Sequence, residues 1–325
     1  MKACATGEIL PSRSKPFDSC YQRTKLLPST FQRRNLSKAM AKFQTIGILR
    51  KPSAPHMQQR IEQVQDWLRI HQKTVLLDST DIPPSPMCPE RQHIAKHADL
   101  LIVLGGDGTM LSGARLVEQR GIPILGINMG GLGFLTEINF DDLPEALEKI
   151  FTGAYQLDDR LMLTVHIRRA DHIISTYSAL NDVVVSKGDL VRMIATTISV
   201  NNTFMTNMQS DGLIVATPTG STAYSLSANG PILDPSLDAL LINPICPHTL
   251  SHRPFLTPSH AAISITLTSQ ENAMATIDGQ ERTEIITGDI IDIRASEHRT
   301  HLIRFPGRNY FEVLRTKLKW GDGIV

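Results

Sequence analysis

The residues best suited to chemistry follow an apolar run at 100–104, where the sequence reads Gly105-Gly106-Asp107-Gly108-Thr109. The bare backbone of the glycines lets a phosphate approach closely. A carboxylate among phosphates repels them unless it has a proton or a metal ion to take. This pattern favours a phosphoryl-transfer site in which Asp107 is the general base.

Two common phosphate motifs do not fit this stretch. The dinucleotide fingerprint needs the frame G-x-G-x-x-G, and a P-loop needs a lysine followed by a hydroxyl residue. A structural alternative stays open, because a glycine-rich turn can serve only to reverse the chain. If Asp107 merely capped the next helix, asparagine would replace it at little cost, since asparagine is an equally good cap.

Further polar residues lie in the second half of the chain. Asn181-Asp182 places an amide beside a carboxylate, a pair that can grip vicinal ribose hydroxyls but is also a common turn dipeptide. The hydroxyl-rich stretch 217–227 is either a loop or the start of a helix whose amides suit a phosphate or a carboxamide. Asp278-Gly279-Gln280 is predicted to be a turn between strands.

The elements that must position these residues follow from hydrophobic periodicity. The run at 100–104 is typical of a parallel strand buried on both faces, and the helical spacing after it places Asp107 at a helix amino terminus. Glycines in Asn128 to Leu135 predict a loop at a strand carboxyl end, which either approaches a ligand closely or only turns the chain. We predict strands at 43–49, 74–77, 122–127, 161–167, 173–177, 192–200 and 263–267, and helices at 58–70, 110–117 and 143–151.

The order of these elements predicts an α/β domain at 43–157 and a mostly antiparallel β domain at 158–300. Asp81 to Pro86 is predicted to be a surface loop. Residues 1–42 are expected to be a disordered or mis-assigned extension, with translation beginning at Met40, because the first forty residues hold eight Lys or Arg and two acidic residues. We therefore expect a chain starting at Met40 to fold and act like the full one.

Composition excludes several classes of protein. The chain has 325 residues and a net charge of +1, which suggests neither a nucleic-acid partner nor a membrane partner. Its four cysteines lack metal-ligand spacing and suit a reducing compartment, so we expect a cytoplasmic location. His93 and His97 have a spacing that could hold a metal ion, but without a third ligand a solvated helix face is favoured, and no protein metal site is expected.

Three blocks carry a resemblance to a known family. Gly105 to Thr109 resembles the GGDG motif shared by NAD kinases, diacylglycerol-type lipid kinases and 6-phosphofructokinases. Asn181-Asp182 and the long block from Ser210 to Pro231 narrow the resemblance to the NAD kinase family, over about Phe43 to Trp320. The resemblance implies a Rossmann-like α/β domain with a GGDG loop, a β-sandwich-like domain, and a segment 301–325 that returns to the first domain.

The resemblance also implies a function and a set of site residues. The chain would transfer the γ-phosphoryl group of ATP to the 2′-hydroxyl of the adenosine ribose of NAD. ATP would carry a divalent ion such as Mg²⁺, and the chain would form a homo-oligomer, either a dimer or a tetramer. The alternatives are a lipid kinase of the same superfamily and a catalytically inactive nucleotide-binding sensor. The phosphate loop would be Gly105, Gly106, Gly108 and Thr109, and the NAD contacts Asp107, Gly108, Asn181, Asp182, Arg192, Gln209, Asp211, Thr222, Ala223, Tyr224, Ser225, Leu226, Ser227 and Gln280.

Overall fold

The computed structural model describes residues 43–51, 57–78, 88–131, 133–188, 192–307 and 309–320. The chain divides into two units, 1–41 and 42–325, and the fold below belongs to the second. The predicted extension at 1–42 and the predicted loop Asp81 to Pro86 lie outside the described residues. Within the described part of the chain, no helix is long and apolar enough to cross a membrane.

A parallel sheet with helices on both faces forms the first half. Strands β1 (Thr45–Arg50), β2 (Thr74–Leu77), β3 (Leu100–Gly105) and β4 (Ile124–Asn128) lie in the order β2-β1-β3-β4, and the short β5 (Ile138–Asn139) pairs with β4. The helices are α1 (Met57–Ile70), α2 (Pro89–His97), α3 (Asp107–Val117) and α4 (Leu143–Phe151).

Alternate residues of β3 explain why both faces are covered. Leu100, Ile102 and Leu104 pack in one hydrophobic cluster with α1 and α4. Leu101 and Val103 pack in another cluster with α2 and α3. Because both faces are buried, β3 is apolar throughout, and its first polar position comes only where the strand ends.

Antiparallel strands dominate the second half. They are β6 (Gln156–Arg169), β7 (His172–Ala179), β8 (Asp182–Lys187), β9 (Ile194–Val200), β10 (Thr203–Ser210), β11 (Gly212–Ala216), β12 (Ala239–Ile245), β13 (Phe255–Pro258), β14 (Ile263–Leu267), β15 (Ala273–Ile277), β16 (Glu281–Ile285) and β17 (Ile290–Arg304). The short helix α5 (Tyr224–Ser227) follows β11, and α6 (Tyr310–Leu318) follows β17.

Two sheets contain these strands. The larger has eleven strands, and its central path runs β10-β9-β14-β17-β4-β3-β1-β2; the smaller has six, ordered β13-β12-β11-β8-β15-β16. A hydrophobic cluster with residues from both sheets, such as Val165, Val185 and Ile291, forms the core of a sandwich. The predicted fold class, an α/β domain followed by a β-sandwich-like domain, is therefore confirmed.

Strand β17 joins the two halves, because it pairs with β6 and β14 antiparallel and with β4 parallel at Leu302. The larger sheet is thus continuous through both predicted domains, and the division at residue 157 stays a prediction. The strand expected from residue 192 begins at Ile194 instead. Arg192 therefore lies outside the strand; its side chain is 83% exposed, and its guanidinium is 3.7 Å from the Glu271 carboxylate.

Candidate active site

Asp107 is the first residue of helix α3, directly after the end of β3. Its carboxylate turns toward the loop that follows β4. Oδ2 accepts the backbone N–H of Phe134 at 3.0 Å, and Oδ1 accepts that of Leu135 at 2.9 Å. Each carboxylate oxygen has two lone pairs, so each keeps one free for a further donor.

Glycine is required where this loop meets Asp107. A Cβ atom on Gly133 would overlap Oδ1 of Asp107, so no other residue allows the same approach. Gly105 has a comparable role, because a Cβ there would overlap the side chain of Thr109. Gly133 therefore lets the loop reach the Asp107 carboxylate, and Gly105 lets Thr109 pack against the end of β3.

The Asn181-Asp182 pair lies where β8 begins, with Asp182 as its first residue, and it is held by other segments of the β half. Thr217 donates its N–H to the carbonyl of Asn181 at 2.9 Å and its hydroxyl to the carbonyl of Leu180 at 2.6 Å. Gly220 packs so closely on Asn181 that a Cβ atom would overlap its backbone. The structure thus brings the hydroxyl-rich stretch against the amide-carboxylate pair.

Asp278 supports the same pair from the turn between β15 and β16. Its buried carboxylate accepts the backbone N–H groups of Leu180 at 3.1 Å, Asn181 at 2.8 Å and Asp182 at 3.3 Å. Burial, followed by the charge of Asp278, raises the pKa of Asp182 to about 7. Burial also raises the pKa of Asp278, although Arg115 and the three backbone N–H groups oppose the shift.

A chain of hydrogen bonds connects this turn to helix α3. Arg115 donates from Nη1 to Asp278 Oδ2 at 3.0 Å and from Nη2 to Gln280 Oε1 at 2.6 Å. Gln280 in turn donates from Nε2 to the carbonyl of Gly108 at 2.6 Å. The residue after Asp107 is therefore tied to the turn that holds Asn181 and Asp182.

Two clefts open on either side of this connection. The GGDG cleft, of about 300 Å³, is lined by Arg50, Lys51, Arg91, Gly106, Gly108, Thr109, Ser112 and Gln280. The Asp182 cleft, of about 370 Å³, is lined by Asn181, Asp182, Val184, Ser186, Ala223, Tyr224, Thr276, Asp278 and Gly279. Three cations line the first cleft and two carboxylates line the second.

Asp78, at the end of β2, holds two of the cations of the GGDG cleft. Its carboxylate accepts from Arg91 at 2.7 and 2.9 Å, and its carbonyl accepts from Arg50 at 3.3 Å. Arg91 also donates to the hydroxyl of Ser112 on α3 at 3.2 Å. Arg91 and Asp78 are both almost fully buried, so the charge of the arginine is compensated where it meets the cleft.

The remaining predicted residues fall into two groups. Ala223 and Tyr224 line the Asp182 cleft, while Ser225 is buried against Asn243 and, with Thr222, Leu226 and Ser227, shapes the adjoining turn. Three others line neither cleft: Arg192 is exposed, Gln209 is exposed on β10, and Asp211 pairs with Lys187 at 2.7 Å.

Sequence reasoning missed Asp78, Arg91, Arg115 and Asp278. The Asp-Gly dipeptide at 278–279 is a strong turn signal, and both residues do have positive φ values, of 50° and 66°. That signal says nothing about where the carboxylate points. Arg115 looked like an ordinary basic residue in the last turn of a helix, a position that cations favour in any case.

No three His, Cys, Asp or Glu side chains come together as a metal site among the residues that the structure describes. His93 and His97 lie on α2 with their ring centroids 4.5 Å apart. The GGDG cleft offers cations, hydroxyls and backbone amides, which suit phosphate groups better than a bare divalent ion.

Comparison with known proteins matches both halves. Residues 89–155 match the ATP-NAD kinase N-terminal domain family, and residues 180–305 the ATP-NAD kinase C-terminal domain family. The NAD kinase of Magnetococcus marinus is 42% identical over 86% of this chain and 95% of its own length. The NAD kinase of Geobacter sulfurreducens is 51% identical over 69% of this chain and 80% of its own length.

Solved structures with the same fold include two kinases with bound ligands. Yeast NADH kinase complexed with NADH aligns with a TM-score of 0.79 at 25% identity, over 88% of this chain and 90% of that one. The NAD kinase from Archaeoglobus fulgidus in complex with ATP aligns with a TM-score of 0.66 at 25% identity, over 85% of this chain and 98% of that one.

Proposed function

Because the chain belongs to the NAD kinase family, we propose that it phosphorylates NAD with ATP at the two connected clefts, with Asp107 as the general base. The observation that carries the proposal is the Asp107 carboxylate, which two backbone amides orient at the head of α3 beside the GGDG cleft. Membership of this family argues against the lipid-kinase alternative.

The Asp182 cleft is the site for the adenosine ribose of NAD. An ionised Asp182 accepts hydrogen bonds from ribose hydroxyls, and the Asn181 amide offers both a donor and an acceptor to the nucleotide. Asp278 fixes the backbone of both residues through three hydrogen bonds. Tyr224, which is 47% exposed at the wall of the cleft, offers an aromatic face to the nucleotide.

The GGDG cleft is the site for the phosphates of ATP. Arg50 and Lys51 supply positive charge, Arg91 is held at the cleft by Asp78, and Gly106, Gly108 and Thr109 place the amino terminus of α3 at the same space, where a helix favours anions. Gly106 and Gly108 line this cleft on either side of Asp107, which brings the donor phosphates next to the proposed base.

In the transfer, Asp107 takes the proton of the ribose 2′-hydroxyl as that oxygen forms a bond to the γ-phosphorus. The bond between the γ-phosphorus and the bridging oxygen breaks, and ADP leaves with the electron pair. Phosphoryl transfer passes through a loose transition state, so alignment and charge neutralisation supply most of the rate enhancement. The cations of the GGDG cleft neutralise charge, and the connection between the clefts maintains alignment.

Magnesium enters as part of the substrate, bound to the phosphates of ATP, and neutralises their charge. The cationic and hydroxyl lining of the GGDG cleft fits an ion held mainly by phosphate and water. A homo-oligomer is consistent with large apolar side chains at strand positions facing solvent, such as Phe204, Ile173 and Ile174. The free thiols of Cys88 and Cys246 suit a reducing compartment such as the cytoplasm.

A single assay tests this function. The purified chain is incubated with NAD, ATP and magnesium, and NADP is measured together with ADP, while diacylglycerol replaces NAD in a parallel reaction. Formation of NADP and ADP in equal amounts in the reaction with NAD, and no ADP in the reaction with diacylglycerol, supports the proposal. Binding of NAD without NADP formation would indicate the inactive sensor instead.

A further inference from the structure

Arg115 lies about two turns along α3 from Asp107, on the element that begins with the proposed base. Its side chain is 14% exposed and extends out of the α/β half to the turn between β15 and β16. One guanidinium nitrogen donates to Asp278 and a second to Gln280. Arg115 lines neither cleft, so it touches neither proposed substrate site.

Each partner of Arg115 leads to a different side of the proposed reaction. Asp278 holds the backbone of Asn181 and Asp182, where NAD would bind. Gln280 holds the carbonyl of Gly108, the residue next to the base. One side chain therefore connects the acceptor site to the GGDG turn.

Arginine is suited to this connection because its planar fork presents separate N–H donors to two acceptors at once. A lysine has a single nitrogen at the end of a flexible stem, so it can stay near one of the two acceptors but does not hold both in a fixed geometry. The two roles of Arg115, compensating Asp278 and fixing Gln280, can thus be separated by mutation.

We propose, on the basis of the function proposed above, that Arg115 is a positioning residue that fixes the acceptor-binding pair relative to Asp107 and so couples NAD binding to turnover. A misplacement of about 1 Å is enough to cost 10²-fold in rate, even when its cause lies away from the reacting atoms. The connection consists of the bonds from Arg115 to Asp278 and to Gln280 and of the bond from Gln280 to the carbonyl of Gly108.

The charge of Arg115 gives the proposal a second readout, the pH dependence of NAD binding. The charged groups that face Asp278 are Arg115 from α3 and Asp182 from β8, and Arg115 is the one that favours ionised Asp278. Without it, Asp278 takes up a proton at higher pH and loses acceptor capacity toward the N–H groups of 180–182. Tight NAD binding then requires a higher pH than in the native chain.

Three variants test the proposal on the full chain: Arg115→Met, Arg115→Lys and, as the matched control, Arg169→Met. Arg169 on β6 makes a comparable pair with the buried carboxylate of Asp289, at 2.8 and 2.9 Å, outside both clefts. For each variant, kcat, the KM for NAD, the KM for ATP and the melting temperature are measured between pH 6 and pH 9.

Arg115→Met is expected to lower kcat about 10²-fold. Its KM for NAD should rise about 10-fold, within the usual range of coupling between sites, while its KM for ATP stays within about twofold. The pH dependence of its KM for NAD should move to higher pH. Arg115→Lys should recover most of the affinity for NAD but little of kcat, because the charge near Asp278 returns while Gln280 stays unheld.

Two results would overturn the proposal. One is native kcat and native KM for NAD in both Arg115 variants. The other is a loss that follows the melting temperature, affects both substrates equally and also appears in Arg169→Met, which would make Arg115 merely structural. If Arg115→Met does not fold, Arg115→Lys carries the comparison. A native chain that makes no NADP would instead count against the proposed function.

Discussion

The Asp107 carboxylate uses both oxygens in hydrogen bonds to backbone N–H groups of the loop after β4. Those bonds orient the group but also make it part of the local structure. The sequence suggested that asparagine would separate the base from a helix cap, because asparagine keeps the turn's hydrogen bonds. The structure shows that asparagine can keep only one of the two bonds, since its NH₂ group would face a backbone N–H.

Asp107→Asn is therefore expected to affect both rate and stability. Loss of a positioned general base lowers turnover about 10²–10⁴-fold. The unsatisfied N–H costs about 1–3 kcal/mol, so the melting temperature falls as well. Turnover, NAD binding and thermal melting on one preparation measure these effects, and near-native turnover would exclude Asp107 as the base.

Gly133→Ala complements Asp107→Asn, because it keeps the Asp107 carboxylate while the added Cβ atom displaces it. We expect turnover to fall by at least about 10-fold, since misplacement of a reacting group by about 1 Å can cost more than this. Gly131→Ala, in the same loop but with open space around it, is the control and should leave turnover close to native.

Asp182 gives a prediction about pH. Its pKa of about 7 in the fold exceeds that of an exposed aspartate, so between about pH 4 and pH 7 the folded chain binds more protons than the unfolded chain. The free energy of unfolding therefore decreases as pH rises through this range. Asp182→Asn cannot titrate, so its stability relative to the native chain should increase from pH 5 to pH 8.

NAD binding should depend on the same titration of Asp182, but it should improve as pH rises, whereas stability decreases. Only ionised Asp182 accepts hydrogen bonds through both oxygens, so the KM for NAD should fall as pH rises through 7, while that for ATP changes little. Melting temperatures and KM values of the native chain and of Asp182→Asn at several pH values test both statements. A stability difference that does not vary with pH would contradict the titration.

At the scale of elements, the site collects at the carboxyl ends of neighbouring parallel strands. Arg50 and Lys51 stand at the end of β1, Asp78 follows β2, and Gly106 follows β3. The loop that holds Asp107 follows β4. In an open parallel sheet these ends share one edge, which is where ligands bind.

Asp78→Asn tests the contribution of this edge to the donor site. The neutral amide leaves Arg91 without its buried carboxylate partner, so Arg91 loses its fixed position, while Arg50 keeps its hydrogen bond to the backbone carbonyl of residue 78. We expect the KM for ATP to rise about 10-fold, which corresponds to about 1.4 kcal/mol of binding, with a smaller change for NAD. Asp66→Asn, in an exposed pair with Arg69, should change neither value.

At the scale of the whole molecule, β17 connects the β half to the catalytic loop. Arg304 at its end donates to Glu137 at 2.8 Å, to Asp158 at 3.1 Å and to the carbonyl of Leu135 at 3.3 Å. Leu135 is also a donor to Asp107. Strand β17 thus supports the loop that orients the proposed base.

Arg304→Met removes an ion-pair partner of Glu137, whose side chain is 2% exposed. Removing one partner of a buried pair costs about 3 kcal/mol or more, so the melting temperature should fall by roughly 5 °C or more. Turnover should fall at temperatures where the variant is fully folded, because the loop is less well held. Arg168→Met, in a more exposed pair with Asp292, should lose about 1 kcal/mol or less.

The amino-acid sequence by itself determined features that depend on neighbouring residues. Strands β2 and β14 and helix α4 have the predicted bounds, because apolar periodicity and runs are local signals. The strand expected from Ile122 begins at Ile124, since Pro123 has no N–H to join a ladder. The turn at Asp278-Gly279 and the position of Asp107 at a helix terminus were also predicted from neighbouring residues, and the structure contains both.

Only the tertiary structure decided which groups these residues meet. The amide donors of Asp107 lie 27 and 28 residues away, and Arg115 meets Asp278 across 163 residues. No local pattern records such contacts, because they follow from how β17 and the two sheets bring distant turns together. The sequence indicated a carboxylate among glycines and an amide-carboxylate pair, and the fold connected them. Buried charges are stable only when they are paired, and at this site distant parts of the chain supply the partners.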